Sequence, residues 1–191
     1  MSLIELRAAG AFALATVLLA TSVAADPQLS TGLAIGVAGK GERRELWTST
    51  DLAAGLRGEV LFARRKDADF GVGPYAELVT TTGFSNFEVG GGLALLIPVH
   101  PYLPVALSSG GYVGASQPWG FAPGVASEIF WGSHGYNYHS IYVMSTGLFM
   151  GVRYGLGDSR EVTLLGGARI DLEILALPLF LAWGAIQGSH R

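Results

Sequence analysis

The sequence predicts an all-β fold: an antiparallel up-and-down β-barrel of about eight strands, with an apolar outward face and a possible short C-terminal helix. Three observations predict it. Apolar residues alternate with small or polar residues over long segments, which is the period of a strand. Gly, Pro, Asn and Ser interrupt these segments at hairpin spacing. Between Val89 and Val152 only Glu128 carries a full charge, although about a quarter of the residues of a soluble domain are charged.

The N-terminus has the features of a cleaved signal peptide. A basic residue precedes an apolar core from Ala8 to Ala20, and Val23 and Ala25 fit the small-residue positions of a cleavage site. The alternative is a membrane anchor, but the core is shorter than the roughly 20 residues that a spanning helix needs. We therefore predict that residues 1–25 are removed and that residues 26–191 form one domain.

Composition excludes several classes of function. The chain has 12 basic and 15 acidic residues and a net charge of −3, so it lacks a basic face for nucleic acid. It contains no cysteine, which excludes disulfides, a lipid-modified cysteine and thiolate metal ligands. Export without disulfides is typical of a bacterial envelope protein.

The strands are predicted from the alternation of side chains between odd-numbered and even-numbered positions. We call this alternation parity, because the two sets of a strand point to opposite faces of a sheet. Within Asp51 to Arg64 the even positions are mostly apolar, whereas the odd positions include Arg57 and Glu59. The same alternation follows Asp69, and turn signals separate the segments. The predicted strands span residues 29–39, 46–64, 69–82, 84–97, 102–116, 120–132, 139–155 and 160–174.

Charge density indicates which face of the barrel points outward. If the polar parity faced water, the outer surface between Val89 and Val152 would be mostly Gly, Ser and Ala, which is a poor soluble surface. A membrane-spanning barrel instead turns small and polar residues into its lumen. The lumen is then predicted to hold a polar network of Arg57, Glu59, Tyr75, Glu77, Glu88, Glu128, Arg153, Arg169, Asp171 and Glu173.

The C-terminal apolar run from Leu175 to Ile186 does not alternate. It fits either a short helix at one end of the barrel or a ninth strand. Pro178 is tolerated in the first turn of a helix, so we favour the helix.

The chain resembles the small bacterial outer-membrane β-barrel proteins over nearly all of its mature length. The dyad repeat from Leu52 to Val60, the signal peptide and the hairpin spacing carry this resemblance. It implies an outer-membrane location, contact with outer-membrane lipid and a monomer. Members of the class usually end on an aromatic residue, whereas this chain ends with Gln187 to Arg191.

The lumen charges have two interpretations. A narrow eight-stranded lumen is ordinarily filled by its own side chains, which favours a hydrogen-bonded plug. The alternative is a small pore or ligand site, because acidic side chains outnumber basic ones in the predicted network. The histidines lack metal-ligand spacing, and we predict no cofactor.

Some outer-membrane enzymes cleave lipid esters with Ser, His and a carboxylate, and His139 and Ser140 could supply two of these groups. Glu128 or Glu161 would orient the imidazole. Adjacent residues of a strand point to opposite faces, however, so His139 and Ser140 would not pair. We therefore predict no catalytic residues.

The most polar predicted loop runs from Gly39 to Ser49. Its basic residues Lys40, Arg43 and Arg44 could bind lipid phosphates. A solvated hairpin end explains the same composition, and we favour that alternative.

We therefore predict a non-enzymatic outer-membrane β-barrel with a role in envelope structure or surface interaction. The alternatives are a narrow channel, a lipid-modifying enzyme and a soluble lipocalin-like carrier. The directions of Leu56 and Arg57 separate the membrane barrel from the carrier, because a carrier would turn Leu56 inward.

Overall fold

The computed structural model describes residues 27–42, 45–81, 86–116, 120–156 and 160–178. Eight antiparallel strands pair in chain order, and β1 also pairs with β8, which closes the barrel. The predicted fold class is confirmed, including the short C-terminal helix. The predicted signal peptide, residues 1–25, lies outside the described residues. The strands are β1 Gln28–Glu42, β2 Glu45–Leu61, β3 Gly71–Thr81, β4 Asn86–Ile97, β5 Val105–Ser116, β6 Gly120–His134, β7 Ser145–Gly155 and β8 Val162–Asp171.

The alternation of each strand turns its apolar residues outward. Leu56 is 45% exposed, whereas its neighbour Arg57 is 6% exposed. Every charged strand residue whose side chain the structure describes lies on the inward parity. We call the outward face the outer wall. Its most exposed large apolar strand residues are Ile35, Trp47, Leu52, Val89, Phe121, Ile129, Trp131, Leu148 and Met150.

The two ends of the barrel differ. The end where β1 begins and β8 finishes carries the connections 62–70, 98–104 and 135–144, and we call it the floor. The opposite end, the rim, carries the shorter connections 43–44, 82–85, 117–119 and 156–161.

The prediction that β7 begins at residue 139 is wrong, because regular pairing with β6 begins only at Ser145. The preceding segment instead crosses the floor and forms an isolated parallel bridge with β1. Leu29 donates its amide hydrogen to the carbonyl of Ile141 at 2.6 Å and accepts one from Val143 at 2.7 Å. β8 pairs with β1 only from Gly32 onwards. The segment around Tyr142 therefore takes the position beside the first residues of β1 that β8 does not reach.

The predicted strand 46–64 also ends early, at Leu61. Ala63 has a φ of 67°, in the left-handed region that non-glycine residues seldom adopt. The turn there interrupts the parity of β2 and directs Arg64 into the floor, where it is fully buried.

Residues 172–178 form a helix directly after β8. The side-chain oxygen of Asp171 accepts the amide hydrogen of Glu173 at 2.8 Å, which is a helix N-cap. The helix therefore begins before the predicted position at Leu175, and residues 179–186 of that prediction lie outside the described residues. No helix in the described ranges has the length and apolar character to span a membrane.

The seam between β1 and β8 depends on two inward glycines, Gly36 and Gly167, which face each other in register. A β-carbon at Gly167 would overlap the backbone of Ile35 and Gly36. We expect Gly167→Ala to destabilise the folded barrel by about 1–3 kcal/mol through overpacking. Chemical unfolding followed by tryptophan fluorescence measures this change.

Gly166→Ala is the matched control for that variant. A β-carbon at Gly166 points to the outer wall and comes within contact distance only of the carbonyl oxygen of Phe149, at 3.9 Å. Equal unfolding free energies for the two variants would contradict the packing that we assign to the seam.

Candidate functional site

An ionic network centred on Arg57 occupies the lumen. Arg57 donates to Glu59 through Nε at 3.2 Å and through Nη2 at 3.1 Å. Its Nη1 lies 3.4 Å from Glu128 and 3.6 Å from Glu77. One guanidinium therefore holds three carboxylates that come from three different strands.

Two further arginines extend the network. Arg153 pairs with Glu77 and, at 2.5 Å, with Glu88. Arg169 Nη2 donates to Glu128 at 2.6 Å. Because Glu77 and Glu128 each contact two arginines, the three cations and their carboxylates form one continuous cluster across the barrel.

Aromatic rings support these guanidinium groups. The guanidinium carbon of Arg57 lies 3.9 Å from the centre of the Tyr75 ring. Arg169 lies 5.1 Å from the Phe130 ring centre and 5.6 Å from that of Phe149. These distances suit cation–π attraction, so the rings fix the arginines as well as filling space.

Two small cavities lie within the network. A cavity beside Arg57, Arg153 and Arg169 measures about 20 Å³. A second, between Tyr75 and Glu128, measures about 10 Å³. Each is large enough for about one water molecule. Neither of these two cavities is large enough to form a path through the network by itself.

A second polar cluster closes the floor. His134 is buried, and its Nδ1 lies 3.1 Å from the hydroxyl of Ser145 and 3.6 Å from a carboxylate oxygen of Glu59. Asp171 accepts the Ser145 amide hydrogen at 2.9 Å and the hydroxyl of Tyr142 at 2.9 Å. This cluster joins the floor connection 135–144 to β2, β7 and β8.

Arg64 holds two floor connections together. Its guanidinium donates to the backbone carbonyls of His134 at 3.2 Å, Gly135 at 3.4 Å and Asp67 at 3.5 Å. Asp67 in turn accepts the amide hydrogen of Tyr136 at 2.5 Å. Burial lowers the pKa of Arg64 from its ordinary value, and the nearby Asp67 carboxylate opposes that shift.

The structure places the predicted lumen residues together, with one exception. Glu173 was expected on the inward parity of β8, but it is the second residue of the helix and is exposed. The parity ends at Asp171 because the strand ends there. The residues placed inside the barrel are Arg57, Glu59, Tyr75, Glu77, Glu88, Glu128, Arg153, Arg169 and Asp171.

The prediction of a polar loop from Gly39 to Ser49 is wrong, because β1 continues to Glu42 and β2 begins at Glu45, so most of this segment is the rim end of these two strands. Lys40 has the inward parity, and its amine lies 3.5 Å from the carboxylate of Asp51. This ion pair competes with the predicted contact of Lys40 with lipid phosphate. Arg43 and Arg44, the other residues of that prediction, lie outside the described residues.

The possible catalytic pair lies in the floor connection, not in a strand. His139 donates its amide hydrogen to the side chain of Asn137 at 3.0 Å, and the Ser140 hydroxyl accepts the Tyr142 amide hydrogen at 3.1 Å. Within the described ranges, no hydrogen bond joins the His139 and Ser140 side chains, and no group of His, Asp and Glu has metal-binding geometry.

Sequence reasoning missed several members of the two clusters. Phe130 and His134 share the inward parity of Glu128 along β6, and Tyr112 faces Arg153 with its ring centre 5.3 Å away. The parity of β5 and β6 could have identified all three. Arg64 had no such signal, because a turn places it.

Together these features define a class: a closed eight-stranded barrel with an apolar outside and an ion-paired inside. No protein-family model matches the chain, and no curated protein matches it either.

Proposed function

We propose that this chain is a non-enzymatic outer-membrane β-barrel that acts as a monomer in envelope structure or surface interaction, with a closed lumen. The single observation that carries the proposal is the inverted distribution of side chains. The outer wall is apolar, whereas the described charged strand side chains face inward. This is the distribution expected when lipid, not water, surrounds a barrel.

Strand length supports the same proposal. The described strands contain from 10 to 17 residues, and a tilted strand needs about 9–11 residues to cross a bilayer. Closure of the barrel also satisfies the backbone hydrogen bonds that lipid cannot satisfy. A closed barrel has no free strand edge for pairing with another copy, which favours a monomer.

Exposed aromatic side chains lie near both ends of the outer wall. Trp47 and Phe121 are near the rim, and Trp131 and Tyr102 are near the floor. Aromatic residues are enriched at both membrane–water interfaces. Their positions match the two boundaries that the proposal requires.

The interior argues against the carrier alternative. A barrel that carries an apolar ligand needs an apolar cavity inside, whereas the centre of this lumen is occupied by arginine–carboxylate pairs. The cavities within the network, of about 20 and 10 Å³, are too small for such a ligand.

The proposal is tested by folding the mature chain into phosphatidylcholine vesicles. We expect a β-rich form that migrates differently on a gel before and after heating, and that protects the strands from protease. Vesicles that leave the chain in solution or aggregated would contradict a membrane barrel.

The closed lumen gives a separate prediction for planar bilayers. We expect the folded protein to produce no stable single-channel currents, because the Arg57 network and the floor block the path. A known porin in the same bilayers is the positive control. Reproducible, discrete conductance steps from the folded protein would favour the channel alternative.

A further inference from the structure

The helix at residues 172–178 is connected to the barrel through Asp171. Asp171 accepts hydrogen bonds from the Glu173 amide at 2.8 Å, the Tyr142 hydroxyl at 2.9 Å and the Ser145 amide at 2.9 Å. One buried carboxylate therefore caps the helix and anchors it to β7 and to the floor connection. The helix has a defined starting point at the edge of the floor.

The surface of this helix is apolar on more than one side. Leu172, Ile174, Leu175 and Leu177 are 36%, 40%, 41% and 55% exposed. Side chains at positions 172, 174, 175 and 177 point in several directions around a helix, because successive residues are about 100° apart. Glu173 is its only charged residue. A helix that is hydrophobic all round belongs in an apolar environment, yet the described part of the chain leaves these side chains exposed.

We propose that residues 172–178 lie in the interfacial region of the lipid leaflet on the floor side, and that they anchor the floor end of the barrel to the membrane. This inference rests on the proposed function. The helix continues directly from β8, whose outward residues Leu164 and Ile170 belong to the outer wall, so its apolar surface is continuous with the proposed lipid-facing surface. The sequence from Leu179 to Ile186 contains no charged residue, so the apolar character continues beyond the helix.

The absence of cysteine from the chain permits a site-specific test. Leu175→Cys and Leu177→Cys variants of the full mature chain are labelled with a polarity-sensitive fluorophore and folded into phosphatidylcholine vesicles. Quenching is then compared between aqueous iodide and lipids brominated at a shallow position of the acyl chain. Leu148→Cys reports on the outer wall, and Lys66→Cys reports on an exposed floor connection. Heat-modifiable migration on a gel shows that each variant has folded.

At Leu175 and Leu177 we expect several-fold weaker iodide quenching than at Lys66, together with strong quenching by the shallow brominated lipid. Iodide quenching equal to that at Lys66 would overturn the inference, and so would protection from both quenchers, which indicates cover by protein. If Leu148 remains quenched by lipid in either case, the proposed membrane barrel stands. If Leu148 itself is accessible to iodide and not to lipid, the proposed function fails as well.

Discussion

Arg57→Ala is expected to lower the free energy of unfolding by about 3–5 kcal/mol, which is the usual cost of removing one partner from a buried ionic cluster. The variant leaves Glu59, Glu77 and Glu128 without the guanidinium that they share. Glu77 still pairs with Arg153 and Glu128 with Arg169, whereas Glu59 loses the arginine that neutralises it and has to be solvated or protonated inside the lumen. A urea titration of the protein in phosphatidylcholine vesicles measures the loss.

Lys66→Ala is the control for this prediction. It removes one positive charge from an exposed position in the floor connection, and we expect a change within about 0.5 kcal/mol. An Arg57→Ala variant as stable as the control would show that the network does not hold the lumen together.

Met150→Arg is expected to destabilise the barrel in a bilayer by about 2–4 kcal/mol, the cost of placing arginine on the lipid-facing side near the midplane. Met150 lies in the middle of β7, points outward and is 69% exposed. In a soluble barrel the same exposed position would accept arginine with a change within about 0.5 kcal/mol. The unfolding free energy in vesicles therefore distinguishes the two environments.

Val99→Arg is the control for Met150→Arg, because the two residues are equally exposed but lie at different levels along the barrel. Val99 is 70% exposed and lies in the floor connection 98–104, beyond the ends of β4 and β5. We expect a cost of about 0–1 kcal/mol there, as near a membrane interface. Equal effects of the two substitutions would be inconsistent with a lipid-facing outer wall.

Parity made much of the barrel predictable. The alternation around Leu56 and Arg57 requires the two side chains to point to opposite faces of the strand. The scarcity of charged residues indicates that the face with Leu56 is the outward one. The same rule placed Glu128, Arg153 and Arg169 in one lumen. It does not specify which arginine pairs with which carboxylate, because that depends on strand register and tilt around the closed barrel.

Parity failed where the chain leaves the regular sheet. Residues 139–144 were predicted to be strand although Ile141 to Met144 do not alternate, and they instead cross the floor and bridge to Leu29. Arg64 follows the left-handed residue Ala63, which no periodic pattern could indicate. Asp171 did carry a local helix-capping signal, but the alternation that continues through Ile174 concealed it. Residues 139–144, Arg64 and Asp171 all make contacts that close the floor, and these contacts are not part of the repeating sheet.

Fractionation of cells that express the full chain tests the central claim most directly. The claim is that the apolar outer wall faces lipid. It predicts that the mature protein sediments with the outer membrane, resists extraction by high salt and alkali, and migrates on a gel at a different apparent mass before and after heating. Recovery of the folded protein in the soluble periplasmic fraction, with unchanged migration on heating, would contradict it.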